Sequence, residues 1–228
     1  MVIGVQTLLA QKVVLYKTGG QAIECEVSEM DSIVFLSGKP KPSSLICPDD
    51  HHPHAIDLGL PSGTKWCCCN VGADSPEAYG GHYAWGETNE KDDYSSSTYT
   101  HYGEDIGTDI SGTIYDAAFM VMGSPWHMPS LVQQKELINN CTIQWTQLND
   151  VNGILLTGSN GNKLFLPAAG DWNGKTYESA GNYGSYWSSN PSGSYNASGY
   201  CFYSSGRREF YDYGIRYTAQ SIRAICTQ

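Results

Sequence analysis

The chain has 228 residues, 40% of them hydrophobic and 16% charged, enough for one full domain and a small accessory piece. Its formal charge of −10 argues against nucleic acid as a partner, because that affinity rests on Lys and Arg neutralising backbone phosphates. No apolar stretch approaches the roughly 20 residues of a membrane span, so none is expected.

Residues 1–10, with the apolar run ending Leu8-Leu9-Ala10, read as the back half of a secretory signal peptide without its basic n-region, or alternatively as a first buried strand. The first reading predicts export. Residues 11–38 alternate as strands do: Val13-Val14-Leu15, the turn Thr18-Gly19-Gly20, Ala22 to Val27, then Ile33 to Leu36. A Gly-Gly pair between apolar runs is a hairpin signal, and so small a unit cannot hold a core alone. Residues 39–54 carry four prolines and form a linker. Its Asp49, Asp50, His51, His52 and His54 are ordinary ligand types. Ligands crowded on a linker without a fixed second shell bind weakly, so no metal site is expected there.

From Ala55 the pattern becomes strand, turn, strand up to Trp66. Cys67-Cys68-Cys69 lacks the spacing of a zinc ribbon or a thioredoxin-like site. Buried free thiols and a single disulfide to Cys141 or Cys226 are the two readings of that run. Glu87, Glu90, Asp92, Asp93, Glu104, Asp105 and Asp109 lie in a long loop with Lys91. Calcium would suit such oxygens, but the D-x-D-x-D-G spacing is missing, and a solvated loop is expected. A short helix is expected over Ile114–Met122. A second is expected over Ser130–Asn140, with Ser130 and Gln133 placed as a capping box. Thr142–Gln147 reads as a strand, and Ile154–Thr157 with Lys163–Leu166 as a hairpin about a Gly-Ser-Asn-Gly-Asn turn. Tyr186–Ser189, Gly199–Ser204 and Ser221–Cys226 read as closing strands. His82, His101 and His127 have no Cys or Ser at a diagnostic spacing and read as surface or structural. No hydrolase, zincin, Walker or Rossmann signature occurs, so no catalytic residue is assigned.

The stretch Asn182–Gln228 holds eight of the sixteen tyrosines, interleaved with Ser, Asn, Gly and Arg. Tyrosine offers a rigid contact face with two torsions to freeze, while Ser, Gly and Asn adapt their hydrogen bonds, as in a paratope. The other reading is a tyrosine-rich sheet without a ligand, since aromatics favour strands. Arg207, Arg208, Arg216 and Arg223 suit an acidic or sugar-like ligand, or pair with Glu209 and Asp212.

Seven segments occur in a recognisable order: Ala55 to Trp66, Asn70-Val-Gly-Ala73, Tyr83-Ala-Trp-Gly-Glu-Thr88, Trp126-His-Met-Pro129, Gly161 to Gly170, Tyr186-Trp-Ser-Ser189 and Ser221-Ile-Arg-Ala-Ile225. In this order they resemble the Fibrobacter succinogenes major paralogous domain, abundant in gut Bacteroidetes, across residues 55–226. That family looks related to the C-type lectin fold of formylglycine-generating enzymes and of diversity-generating retroelement variable proteins. The resemblance implies an α+β, C-type lectin-like domain over residues 55–228, with two helices, small twisted antiparallel sheets and neighbouring termini, preceded by the small β module. It implies ligand contacts from exposed positions: Tyr195, Asn196, Tyr200, Tyr203, Arg207, Arg208, Glu209, Tyr211, Tyr213, Arg216 and Tyr217. Trp187, Ile222 and Ile225 are implied framework.

Three departures accompany the resemblance. His127 replaces the family's usual arginine and puts a salt bridge there in doubt. The copper-binding cysteine pair of the formylglycine-generating enzymes is missing, which disfavours an oxidase. The calcium-lectin motifs are absent, Asp171-Trp172-Asn173-Gly174 being a loose echo. The expectation is therefore an exported, non-catalytic protein that binds a protein or glycan ligand without a cofactor. The alternative is a structural or assembly module of the cell envelope.

Overall fold

The computed structural model describes the strands Lys12–Tyr16 (β1) and Ala22–Glu26 (β2) and all of residues 52–226. The signal-peptide segment, the strand expected at Ile33–Leu36, and Cys47, Asp49, Asp50 and His51 lie outside the described residues. The chain divides into two compact units, Met1–Pro42 and Ser43–Gln228. In the first, β1 and β2 pair antiparallel, with Lys12 opposite Glu26 and Tyr16 opposite Ala22.

The second unit is α+β, with four small antiparallel sheets and two helices among the described residues. Strands Ala55–Asp57 (β3) and Lys65–Cys67 (β4) form a hairpin, and Ile225–Cys226 (β15) pairs with the other edge of β4. β3 and β15 therefore flank one strand, about 10 Å apart at the usual interstrand spacing. Tyr83–Ala84 (β5) joins a four-stranded sheet with Asp171–Asn173 (β9), Thr176–Glu178 (β10) and Ala219–Gln220 (β14). Thr142–Leu148 (β6), Val151–Thr157 (β7) and Lys163–Pro167 (β8) form a meander. Its first turn places Asn149 and Asp150 both at positive φ, the arrangement a two-residue hairpin requires and Asn and Asp tolerate. Tyr183–Ser192 (β11), Asn196–Tyr203 (β12) and Arg208–Ile215 (β13) form the last sheet.

Helix Ala117–Met122 (α1) starts at Asp116, whose carboxylate accepts from the Phe119, Gly112 and Met128 backbone N–H groups. Burial nevertheless raises its pKa. Helix Leu131–Asn140 (α2) carries the expected capping box, Ser130 with Gln133. It docks on β11 through Gln134, whose amide donates to the Tyr186 and Trp187 carbonyls at 3.2 and 3.0 Å. No helix among the described residues is long and apolar enough to cross a membrane.

Two tryptophans cross-brace the centre: the Trp187 indole donates to the Tyr83 carbonyl, and the Trp85 indole to that of Ser188, both at 2.9 Å. Ile222 and Ile225 are buried, as implied. Arg223 is buried too. Its guanidinium donates to Asn70 Oδ1 at 2.9 Å, to the Cys67 carbonyl at 3.1 Å and the Phe165 carbonyl at 2.9 Å, and to the Cys68 carbonyl. The expectation that Arg223 meets a ligand, or Glu209 or Asp212, is thereby corrected. A core arginine with a full set of acceptors serves as a tie. Cys67, Cys69, Cys141, Cys201 and Cys226 carry free thiols, so the disulfide reading of the cysteine run gives way to the buried-thiol reading.

Asp171 on β9 stands opposite Glu178 on β10. Burial first, then the neighbouring Glu178, pushes its carboxyl up to about 6. With the folded value above the unfolded one, the proton stabilises the fold at low pH, and that stability is lost as pH rises through about 6. Asp171→Asn is expected to leave stability near pH 4 unchanged and to raise it near pH 7 by about 1–3 kcal/mol. Thermal unfolding of both proteins at the two pH values checks this.

Candidate functional site: a tyrosine-walled cavity

The loop Gly193–Tyr195 between β11 and β12 and the residues that leave β13 converge at one end of the last sheet. There they meet the tip of the acidic loop. Tyr99, Tyr102, Gly103, Ser194, Tyr195, Asn196, Ile215, Arg216 and Tyr217 line a cavity of about 200 Å³. Tyr102 and Tyr195 stand at its mouth, 54% and 55% exposed, with ring centroids 5.2 Å apart. Gly103 has φ +74°, and a Cβ there would lie 3.5 Å from the Tyr195 ring. The left-handed backbone, rather than a lack of space beside the ring, is what suits glycine at this point.

Arg216 builds the base. It is 2% exposed, its guanidinium lies 4.3 Å from the Trp85 ring centroid, and it donates to the Asn196, Glu104 and Gly193 carbonyls at 3.1, 3.0 and 2.6 Å. One side chain thus ties the acidic loop to the β11–β12 loop. Burial pulls its pKa down, while Tyr99 and Asp105 oppose that. Tyr99 is 6% exposed and donates to the Trp85 carbonyl at 2.7 Å. Burial pushes this phenol up, against the pull of Arg216. The cavity therefore presents aromatic faces and a few hydroxyls over a cation already engaged with the backbone.

The eleven sequence-expected site residues fall into three sets. Tyr195, Asn196, Arg216 and Tyr217 share this cavity. Tyr203, Arg207, Glu209 and Tyr213 form a second cluster. Arg207 pairs with Glu209 at 2.7 Å and lies 5.4 Å from the Tyr203 ring centroid, and Tyr213 donates to Glu209 at 3.1 Å. Arg208 is exposed, on the opposite face of β13 from Glu209. Within this pair Arg207 holds the Glu209 carboxyl below its ordinary range. Tyr200 and Tyr211, 2% and 5% exposed, are corrections to the expected exposed face, and so is Arg216. On β12 residues 197–202 are all buried, so alternation does not leave one face to solvent there. Tyr200 packs on Phe202 and Phe210, and the Tyr211 hydroxyl joins a buried polar group with Ser185 and Gln220.

Residue reading alone missed Tyr99, Tyr102, Gly103, Ser194 and Ile215. The first three sit in the stretch expected to be a solvated loop. Tyr94 and Tyr99, 2% and 6% exposed, anchor that stretch instead, and Lys91 bridges Glu87 and the Thr98 carbonyl. The available signal was the run of aromatics at Tyr94, Tyr99 and Tyr102, unusual for a loop meant only for water. His82 is buried against the Ala169 carbonyl at 3.1 Å, with its pKa lowered by burial. His101 contacts Glu104 at 3.1 Å. His127 meets Ser111 Oγ at 2.8 Å. Comparison with family models, curated proteins and solved structures gave no match.

Arg216→Ala uncovers Trp85 and leaves three carbonyls without their donor. It is expected to cost about 3 kcal/mol, seen as a lower denaturant midpoint, and to open the 99–105 segment to protease. Arg216→Lys keeps the charge and loses the fork, so most of the same loss is expected. A midpoint and cleavage pattern like those of the wild type would remove the tie assigned to this residue.

Proposed function

We propose that this chain is an exported, non-catalytic ligand-binding protein whose ligand, a glycan or a protein, seats one ring or one side chain against the paired Tyr102 and Tyr195 rings. The observation that carries the reading is the cavity itself: four of the nine residues that line it are tyrosine, and its arginine is already committed to backbone carbonyls. Recognition there rests on stacking and hydroxyl contacts, since Arg216 is not available for a ligand carboxylate. At about 200 Å³ the cavity is smaller than the roughly 300–1,000 Å³ of a pocket for a whole drug-sized molecule. It suits the anchor group of a larger ligand, the remainder resting on the exposed Ile215 beside it.

The C-type lectin-like fold and the kinship to the Fibrobacter succinogenes major paralogous domain belong to the same proposal. Its support is that the motif residues Trp66, Trp85, Trp187, Ile222 and Ile225 are buried, while Tyr102, Tyr195 and Tyr213 between them stay exposed. A diversity-generating retroelement origin makes a separate claim on DNA: a nearby near-copy of the 3′ coding segment, differing mainly at adenines. Without such a copy or a reverse transcriptase gene nearby, that part fails while the binding proposal stands.

Screening the full chain on glycan and protein arrays, followed by titration of the best hit, tests the function. Replacing both Tyr102 and Tyr195 by Ala is expected to weaken binding about tenfold or more while leaving the unfolding midpoint nearly unchanged, because both rings are exposed. Binding equal to that of the wild type would overturn the site. Arrays without a hit would favour the structural envelope module.

A further inference from the structure

We infer that His52, His54 and Cys68 form a zinc-binding site at the open edge of the β3–β4 hairpin. The hairpin register creates the juxtaposition. Ala55 stands opposite Cys67, and one step further the Cys68 N–H donates to the His54 carbonyl at 2.9 Å, which sets His54 across from Cys68. Directly opposed residues on a ladder share a face. His52, two positions earlier, returns its imidazole to the same place: His52 Nδ1 lies 3.2 Å from Cys68 Sγ, and the two imidazoles stack at 5.4 Å. The three donor atoms all lie within 4.8 Å of one another. With Zn–S about 2.3 Å and Zn–N about 2.0–2.1 Å in a tetrahedral shell, S and N ligand atoms stand about 3.5 Å apart. Small side-chain rotations are enough to reach that geometry.

Two neighbours are placed as an outer shell for the sulfur. The His54 N–H donates to Cys68 Sγ at 3.3 Å, and the Cys69 thiol approaches it to 3.3 Å. Hydrogen bonds of this kind stabilise a metal-bound thiolate. The half-buried imidazoles give an ion access from solvent, while the buried sulfur fixes the site to the core. Zinc suits two imidazoles and one thiolate, with water as a fourth ligand. Binding exchanges the Cys68 S–H proton, released to solvent, for an S–Zn bond, without any change of oxidation state.

Full-length protein, reduced and stripped with a chelator, is titrated with cobalt(II) and then with zinc(II). The expected result is one equivalent bound per chain, with the visible bands of tetrahedral cobalt and a near-ultraviolet thiolate charge-transfer band, both abolished by zinc. Cys68→Ser should remove the charge-transfer band. The double variant His52→Ala/His54→Ala should weaken binding about 100-fold or more and abolish the zinc-induced rise in unfolding temperature. Should Cys68→Ser fail to fold, the histidine pair, which is only half-buried, decides the matter. No charge-transfer band in the wild type, or one that persists at full strength in the folded variants, would overturn the site.

Discussion

The Arg223 guanidinium sits in the core with its hydrogen bonds directed at three backbone carbonyls and one side-chain amide. Burying a cation costs several kcal/mol unless its donors are satisfied, so the surrounding chain has little freedom to move away. The acceptors come from Cys67, Cys68, Asn70 and Phe165, in the β3–β4 hairpin, the segment that follows it, and the meander. One side chain therefore ties two distant pieces of backbone, residues 67–70 and the meander at Phe165, to its own segment. Asn70 extends the network, its amide reaching the Tyr186 hydroxyl at 3.3 Å, and Tyr186 in turn donates to the Pro167 carbonyl at 2.8 Å. Arg216, also buried, repeats the device beneath the cavity, where the loops it ties are the walls. A scaffold with so little regular structure holds its shape through such polar ties as much as through apolar packing.

Much of this was legible from residue patterns because the signals were local. The capping box at Ser130 and Gln133, the glycine-rich turn between β7 and β8, and the strand–turn–strand at Ala55–Trp66 depend on residues only a few positions apart. The burial of Tyr200 and Tyr211 was not legible, because it depends on what lies across the sheet. β12 is the central strand of its sheet with α2 against it, and both parities of its side chains are covered. β13 escaped notice as a strand because Arg208-Glu209 and Asp212 interrupt its apolar pattern. The arginines misled for a similar reason: sequence proximity suggested one basic patch, whereas alternating direction and a turn send Arg207 to the surface and Arg216 and Arg223 inward. Cys68 looked like the middle of an unspaced triplet, and only the hairpin register sets it beside the linker histidines.

The last sheet separates two kinds of surface at its two ends. At one end loops from far apart in sequence enclose the cavity around Tyr102 and Tyr195. At the other, Arg207, Glu209, Tyr203 and Tyr213 form a compact pair-and-stack cluster on a hairpin whose side chains satisfy one another. Residues already engaged in this way present less unmet hydrogen-bonding capacity than the open aromatic mouth, which is why the cavity carries the functional argument.

The Arg223 tie has a consequence for how the chain comes into being. Its bond to the Cys67 carbonyl joins residues 156 positions apart, and β15, which completes the first hairpin's sheet, follows only two residues later. During synthesis from the N-terminus, the pieces that Arg223 unites must wait, exposed at their polar seams, until nearly the whole domain has left the ribosome. Such long-range closure slows folding and lengthens the time in which unfinished chains can meet one another. The buried arginine thus makes closure of the fold wait on a segment that the domain supplies late.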